Sequence, residues 1–141
     1  AGAMAGFYTQ DYSESSKSIT HAYVRIEKDS LMEKGPVGKL DMLLVLDPSL
    51  FNLKEADANR EIIVNSTKSV SKQKNVHFLD ASEIAFKNTG KAIPNTPMAG
   101  AVAKYIQKLQ IRQIKQSIEH ELHHKPAENG LSAEEGLKSV K

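Results

Sequence analysis

The 141-residue sequence contains no cysteine, which excludes a disulfide framework, a thiolate metal site and a cysteine nucleophile. Without thiolates the chain cannot itself hold an iron–sulfur cluster. The same absence suits a reducing cytoplasm, where we expect the protein to reside. No signal peptide is recognisable and no apolar run approaches the roughly 20 residues of a membrane helix, so we expect no membrane partner.

The sequence also lacks a large excess of one charge, because its 19 Lys and Arg residues are nearly balanced by 17 Asp and Glu residues, which gives a formal charge of +2. This composition gives no reason to expect a nucleic-acid partner. The sequence has no glycine-rich dinucleotide motif, no phosphate-loop motif and no Gly-x-Ser-x-Gly motif. The usual sequence evidence for nucleotide binding or serine hydrolysis is therefore absent, and we assign no catalytic residue.

The longest apolar run lies in residues 40–48, where five apolar residues from Met42 to Leu46 follow one another before Asp47 and Pro48. A run without alternation is typical of a strand covered on both faces, with helices above and below a largely parallel sheet. In such sheets, ligands bind beyond the carboxyl ends of the strands. We therefore predict that this run forms the central strand.

Other segments fit the same architecture. Residues 61–65 and 75–80 predict two more buried strands, and residues 20–27 alternate as a half-exposed strand does. A β-prone run at 7–10 and a hydroxyl-rich loop at 11–18 precede them. We predict a single α/β domain over residues 1–141, Rossmann-like and three-layered, with a mostly parallel sheet and C-terminal helices at about 95–138.

Helix boundaries can also be predicted. A short helix should begin near Ser82 and end at Gly90, because glycine is the preferred residue after a helix. A second should start near Pro97, with Asn95 or Thr96 capping its free amides. Residues 132–137 predict a short amphipathic helix whose first and fourth residues have capping-box spacing.

Residues 120–124 read His-Glu-Leu-His-His and match the zinc-protease pattern of two histidines four apart with a glutamate after the first. The apolar stripe of the same helix passes through Ile114 and Ile118, and helical spacing places His120 and His124 far from that stripe. We interpret the histidines as solvent-exposed and assign no metal ligand. A zinc hydrolase using His120, Glu121 and His124 is kept as the weakest alternative.

Two places could bind an anion. The loop from Tyr12 to Ser18 offers hydroxyls, backbone amides and the Lys17 ammonium, and Asn95 stands where a helix start offers free amides. A polar surface loop and a residue that only caps its own helix are the simpler interpretations. On these residues alone, the sequence indicates a cytoplasmic α/β domain and no reaction.

Several segments together resemble the gamma subunit, or gamma domain, of the 2-oxoacid:ferredoxin or flavodoxin oxidoreductases, which include pyruvate and 2-oxoglutarate synthases. The resemblance extends over nearly the whole chain in order and spacing. The matching segments are residues 6–12, 22–26, 40–50, 62–66, 93–101 and 128–136.

The resemblance implies a subunit that is inactive alone and belongs to an enzyme that oxidatively decarboxylates a 2-oxoacid to an acyl-CoA. Thiamine diphosphate and iron–sulfur clusters would belong to alpha, beta and ferredoxin-like partner subunits, and this chain alone would bind no cofactor. It would be largely structural and lie near the CoA side. The competing interpretation is a free-standing α/β ligand-binding domain, and a homodimer in isolation is left open.

The chain departs from the family in two ways. The family often has an Arg-Gly pair where this chain has Ser15, Ser16 and Lys17, so the role of that arginine is not transferred. The family also opens with a strand, a glycine-rich loop and a helix that this sequence does not show. We therefore expect strands 7–10 and 40–47 to flank a slot that another segment fills, unless the two strands pair directly.

We predict that any ligand contact lies along one rim. The residues of this rim are Tyr12, Ser15, Ser16, Lys17 and Asn95. The 2-oxoacid and the electron acceptor are not encoded in any feature of this sequence.

Overall fold

The computed structural model describes the backbone of residues 4–14, 17–27, 39–51 and 60–141, with the side chains of residues 22–26, 39–51 and 60–141. The chain divides into two compact units, Ala1–Leu40 and Asp41–Lys141. The single domain expected over residues 1–141 stays a prediction. None of the helices in the described ranges is long and apolar enough to span a bilayer.

The first unit is a two-stranded antiparallel ribbon of β1 (Met4–Glu14) and β2 (Lys17–Glu27). Its register pairs Phe7 with Val24 and Glu14 with Lys17. The strand predicted at 20–27 is confirmed. The loop predicted at 11–18 is wrong in extent, because Asp11–Glu14 belong to β1 and Lys17 and Ser18 to β2, where strand pairing satisfies their backbone groups.

The second unit contains a parallel sheet whose strands follow the order β3, β4, β5. The strands are β3 (Met42–Val45), β4 (Glu61–Asn65) and β5 (Val76–Leu79), and a 3-10 turn (Pro48–Leu50) follows β3. Four helices come after β5: α1 (Ala81–Thr89), α2 (Asn95–Val102), α3 (Ile111–Glu121) and α4 (Pro126–Ser139). The predicted α/β class, parallel sheet and helical C-terminal segment are confirmed.

The central strand of this sheet is β4, and the prediction that residues 40–48 form it is wrong. Ile62, Ile63 and Val64 of β4 have no exposed surface. By contrast β3 is an edge strand of the sheet as far as the chain is described, and its Leu44 is 37% exposed. The apolar run correctly predicted a strand here, and its composition is that of a buried strand, but among the described residues only β4 pairs with it.

The two faces of the sheet have different coverings. On one face Ile63 and Leu79 pack with Met98 and Ala101 of α2 and with Val140 after α4. On the other face, side chains from β3, β4 and β5 pack with two residues of the connections, Phe51 and Val70. Among the described residues, helices therefore cover one face and connecting segments the other.

Helix boundaries follow the predictions in part. Gly90 adopts the left-handed conformation (φ 81°) after α1, as predicted, and Asp80 caps the helix by accepting from the Glu83 amide (3.0 Å). For α2 the predicted cap is wrong, because Pro94 occupies the capping position and no side chain accepts there. The third residue of this helix is Pro97, which has no amide hydrogen, so one of the groups that a side-chain cap would satisfy is missing.

The predicted helix at 132–137 is also wrong in extent, because α4 starts six residues earlier at Pro126. Proline is favoured in a first helical turn because its missing amide has no partner to lose there. Ser132 is buried in the middle of the helix and donates to the Glu128 carbonyl (2.9 Å). Its hydroxyl therefore bonds within the helix and does not cap its start.

Two glycines let α2 and α4 meet backbone to backbone. A Cβ added at Gly136 would lie 2.0 Å from the carbonyl oxygen of Pro97, and one at Gly100 would lie 1.9 Å from that of Ala133. Neither distance leaves room for a side chain. This close crossing fixes the helical layer over the β4 face.

Candidate functional site

The carboxyl edge of the sheet, where an α/β protein commonly binds ligands, is organised by Asn65 at the end of β4. Its side-chain oxygen accepts from the amides of Ala81 (3.0 Å) and Ser82 (3.2 Å), the first residues of α1. Its side-chain nitrogen donates to the Leu46 carbonyl (3.0 Å) and the Ser82 hydroxyl (2.9 Å). One buried amide thus joins the ends of two strands to the start of a helix.

The two aspartates at this edge are also occupied with their own backbones. Asp80 caps α1, and the Asp47 carboxylate accepts from the Ser49 amide (2.9 Å) in the turn after β3. Free amides at a helix start are what would attract a phosphate. Because Asn65 and Asp80 accept from the first amides of α1, that helix end is filled by the protein itself.

The predicted rim residues lie in both units. Tyr12 belongs to β1 and Lys17 is the first residue of β2, but the structure does not describe their side chains. Ser15 and Ser16 lie outside the described residues. Asn95 is the first residue of α2 and is exposed. The next residue, Thr96, donates to the Asn129 side chain of α4 (3.2 Å). The rim of Tyr12, Ser15, Ser16, Lys17 and Asn95 stays a prediction.

The zinc-protease pattern does not form a site. Helix α3 ends at Glu121, so His124 does not lie on the helix that carries His120. His120 bonds with its own neighbour, from Nδ1 to Glu121 Oε1 (3.1 Å), and both side chains are exposed. Across the described ranges, no three His, Asp or Glu side chains gather as metal ligands would. The geometry therefore does not support the zinc hydrolase alternative.

A cluster that the sequence did not predict lies at the amino end of β4. His77 Nε2 is 2.6 Å from Glu61 Oε2, and the His77 ring lies against the Tyr105 ring with a centroid separation of 4.2 Å. Burial, and secondarily the Glu61 carboxylate, raise the pKa of the Tyr105 phenol above its ordinary 10.0. The available signal was a histidine inside the apolar run of residues 76–79, which needs a polar partner when it is largely buried.

Comparison with known proteins places this architecture among relatives. Residues 2–139 match the family described as pyruvate ferredoxin/flavodoxin oxidoreductase. The pyruvate/ketoisovalerate oxidoreductases common subunit gamma of Pyrococcus furiosus is 32% identical over 109 residues, which are 69% of this chain and 59% of that protein. The Pyrococcus abyssi protein of the same name is 31% identical over the same shares. The chain thus spans about 59% of the length of these relatives.

Among solved structures, the chain is similar to pyruvate oxidoreductase subunit PORC from Thermotoga maritima. The TM-score is 0.79 at 20% sequence identity, and the match covers 99% of this chain and 81% of that one. At this identity the similarity establishes a shared fold.

Proposed function

Because the chain belongs to the pyruvate ferredoxin/flavodoxin oxidoreductase family, we propose that it is the gamma component of a multi-subunit enzyme that oxidatively decarboxylates a 2-oxoacid to an acyl-CoA. The observation that carries the proposal is the family match over residues 2–139, supported by relatives named as gamma subunits. The contribution of this chain is structural, and it is inactive alone.

The side chains of the second unit support a structural contribution. At the carboxyl edge, Asn65 and Asp80 bond to backbone groups of their own unit. At the opposite end, His77 is bonded to Glu61 and stacked on Tyr105. Groups that are committed to internal bonds hold elements together, and they are poorly placed to take up a substrate.

The cofactors of the assembled enzyme belong to other subunits in this proposal. A cluster needs cysteine thiolates, which this chain does not have, so its residues do not fit an iron–sulfur cluster. Thiamine diphosphate and the clusters are therefore assigned to alpha, beta and ferredoxin-like partners. The assembly is assigned to the cytoplasm, because a chain without cysteine suits a reducing compartment.

Co-purification tests the assignment. The tagged chain is co-expressed with the alpha, beta and ferredoxin-like subunits of an enzyme of this family and recovered under native conditions. We expect all of them in equal molar amounts. Recovery of the tagged chain alone, as a folded monomer or homodimer, would favour the free-standing ligand-binding domain instead.

Within this function, the predicted rim of Tyr12, Ser15, Ser16, Lys17 and Asn95 is proposed to contact CoA. The motivation is that hydroxyls and one ammonium near a strand end, with the start of α2, are suited to phosphate groups. A hydrogen bond to a charged group contributes about 1.5–3 kcal/mol, so losing one should weaken binding roughly tenfold or more.

Replacement of Ser15, Ser16 and Lys17 together by alanine tests this contact in the assembled enzyme. We expect the KM for CoA to rise roughly tenfold while the KM for the 2-oxoacid is unchanged. Lys72→Ala removes an exposed lysine of the β4–β5 connection and is the control for loss of charge. Equal KM values for CoA in both variants would show that residues 15–17 do not contact CoA.

A further inference from the structure

Helix α3 is held differently from the other three helices. No residue of α3 is buried, whereas α1 buries two residues and α2 and α4 bury four each. The apolar stripe of α3, formed by Ile111, Ile114 and Ile118, is half-buried, and the helix packs mainly on α4. Since a helix in a protein is stabilised mostly by the apolar face that it buries, α3 is the least firmly held of the four.

The contact between α3 and α4 includes a glycine and an ion pair. A Cβ added at Gly130 of α4 would lie 2.6 Å from Glu119 Oε1 and 3.0 Å from Lys115 Cγ, so these two side chains of α3 lie directly over that glycine. Lys115 Nζ is 3.3 Å from Glu134 Oε2, and each of these side chains is 34% exposed. An ion pair that solvent reaches stabilises a contact only a little. This contact can therefore open and form again.

The chain on either side of α3 is exposed. All ten residues from 119 to 128 are exposed, and so is Gln110 before the helix. Gln110 and Leu122, which flank α3, both have extended backbones. Segments with few buried contacts are those that open locally while the rest of a protein stays folded. The two ends of α3 thus have the properties of hinges.

Lys125 holds the link between α3 and α4 in place. In the described ranges it is the one non-glycine residue with a positive φ (49°), a conformation that is unfavourable for a residue with a Cβ. Its ammonium donates to the Thr89 carbonyl at the end of α1 (2.6 Å). The Asn129 side chain donates to the carbonyls of His124 (3.2 Å) and Lys125 (2.9 Å). A strained residue is therefore fixed by bonds to α1 and to α4.

We propose that α3 is a hinged flap, which lifts from α4 about residues 107–110 and 122–125 while the rest of the second unit stays folded. Lys125 is the catch that keeps the flap closed, because its ammonium ties the α3–α4 link to the end of α1. Opening uncovers the isoleucine stripe of α3 and the surface of α4 around Gly130. This inference goes beyond the proposed function and does not rest on it.

Amide hydrogen exchange in the isolated chain tests the flap. Amides of residues 115–121 in α3 should exchange at least about a hundredfold faster than those of residues 131–138 in α4. The α3 rates should also change little at low denaturant concentration, because a local opening exposes little surface. Equal rates in the two helices, with equal dependence on denaturant, would mean that α3 opens only when the whole unit unfolds. That result would overturn the flap.

A reversible cross-link between the helices tests the same motion. The sequence has no cysteine, so Lys115→Cys combined with Gly130→Cys offers a single disulfide between α3 and α4, at positions that already lie in contact. Oxidation should slow exchange in α3 to the rate in α4, and reduction of the same protein, which is the matched control, should restore fast exchange. Fast exchange in α3 that persists in the oxidised form would overturn the flap.

A pair of lysine variants tests the catch. Lys125→Met removes the ammonium that binds the Thr89 carbonyl, and Lys138→Met removes an exposed lysine at the end of α4 as the control. We expect exchange in α3 to become roughly tenfold faster in Lys125→Met, as the loss of a hydrogen bond from a charged group would give. Exchange in α4 should stay unchanged in both variants. Equal α3 rates in the two variants would show that Lys125 does not hold the flap.

Discussion

The neighbouring strands β3 and β4 have similar apolar sequences and very different surroundings. In β4 three consecutive residues have no exposed surface, whereas in β3 only Val45 is buried. β4 has strands on both sides, the helical layer on one face and Phe51 and Val70 on the other. An apolar run thus shows that a strand is suited to burial, and its neighbours decide whether it is buried.

The same comparison bears on function. The surroundings of β4 are complete within this unit, because its apolar side chains are packed in the core and its polar side chains at both ends are hydrogen-bonded. Among the described residues the β3 edge is not, because β4 is the one strand that pairs with it there. The following predictions, ordered from the largest expected effect to the smallest, test how far the two regions differ.

Truncation of one side chain in each strand tests the difference directly. Ile63→Ala removes a fully buried side chain and should lower the free energy of unfolding of the isolated chain by about 3–4 kcal/mol. Leu44→Ala, at the half-open edge, should lower it by only about 1 kcal/mol. Chemical denaturation measures both values. Similar losses for the two variants would mean that β3 is already covered in the isolated chain.

The helical layer over β4 should resist even one added methyl group. Gly136→Ala places a Cβ against the Pro97 carbonyl, and overpacking of this kind costs about 3 kcal/mol. Gly130→Ala in the same helix is the control, because its Cβ would meet the flexible side chains of Glu119 and Lys115. We expect that control to be nearly neutral in thermal unfolding. A neutral Gly136→Ala would show that the α2–α4 crossing can open.

Asn65 links the two regions, so its loss should loosen β3 more than β4. Asn65→Ala removes the acceptor of two α1 amides and the donor to the Leu46 carbonyl, which should cost about 2 kcal/mol. Asn88→Ala, whose side chain donates to the Ile84 carbonyl and the Glu135 carboxylate, serves as the control and should cost less. Hydrogen exchange near Leu46 should speed up in Asn65→Ala. Unchanged exchange there would contradict the linking role.

The amino end of β4 should give the smallest effect, a pH dependence through Tyr105. Folding raises the pKa of this phenol. The protonated phenol therefore contributes fully to the free energy of unfolding below about pH 10, and this contribution is lost as pH rises through the pKa of the folded state. Tyr105→Phe removes the titrating group. The difference in unfolding free energy between wild type and Tyr105→Phe should therefore shrink above about pH 10. A difference that stays constant from neutral to alkaline pH would contradict this.

Local sequence patterns predicted elements better than they predicted neighbours. Gly90 and the apolar runs of β4 and β5 gave correct elements because turn chemistry and burial act locally. The edge position of β3 and the early start of α4 at Pro126 were missed because tertiary packing decides both. The Glu61–His77–Tyr105 cluster joins residues 44 positions apart in sequence, and no local pattern encodes such a meeting.

The central claim, that this chain is a structural component of a 2-oxoacid oxidoreductase, is tested most directly by reconstitution. CoA-dependent reduction of a low-potential acceptor by a 2-oxoacid is measured for the chain alone, for the other subunits alone and for all of them together. We predict turnover only when all subunits are present. Turnover by this chain alone, or full turnover without it, would contradict the account.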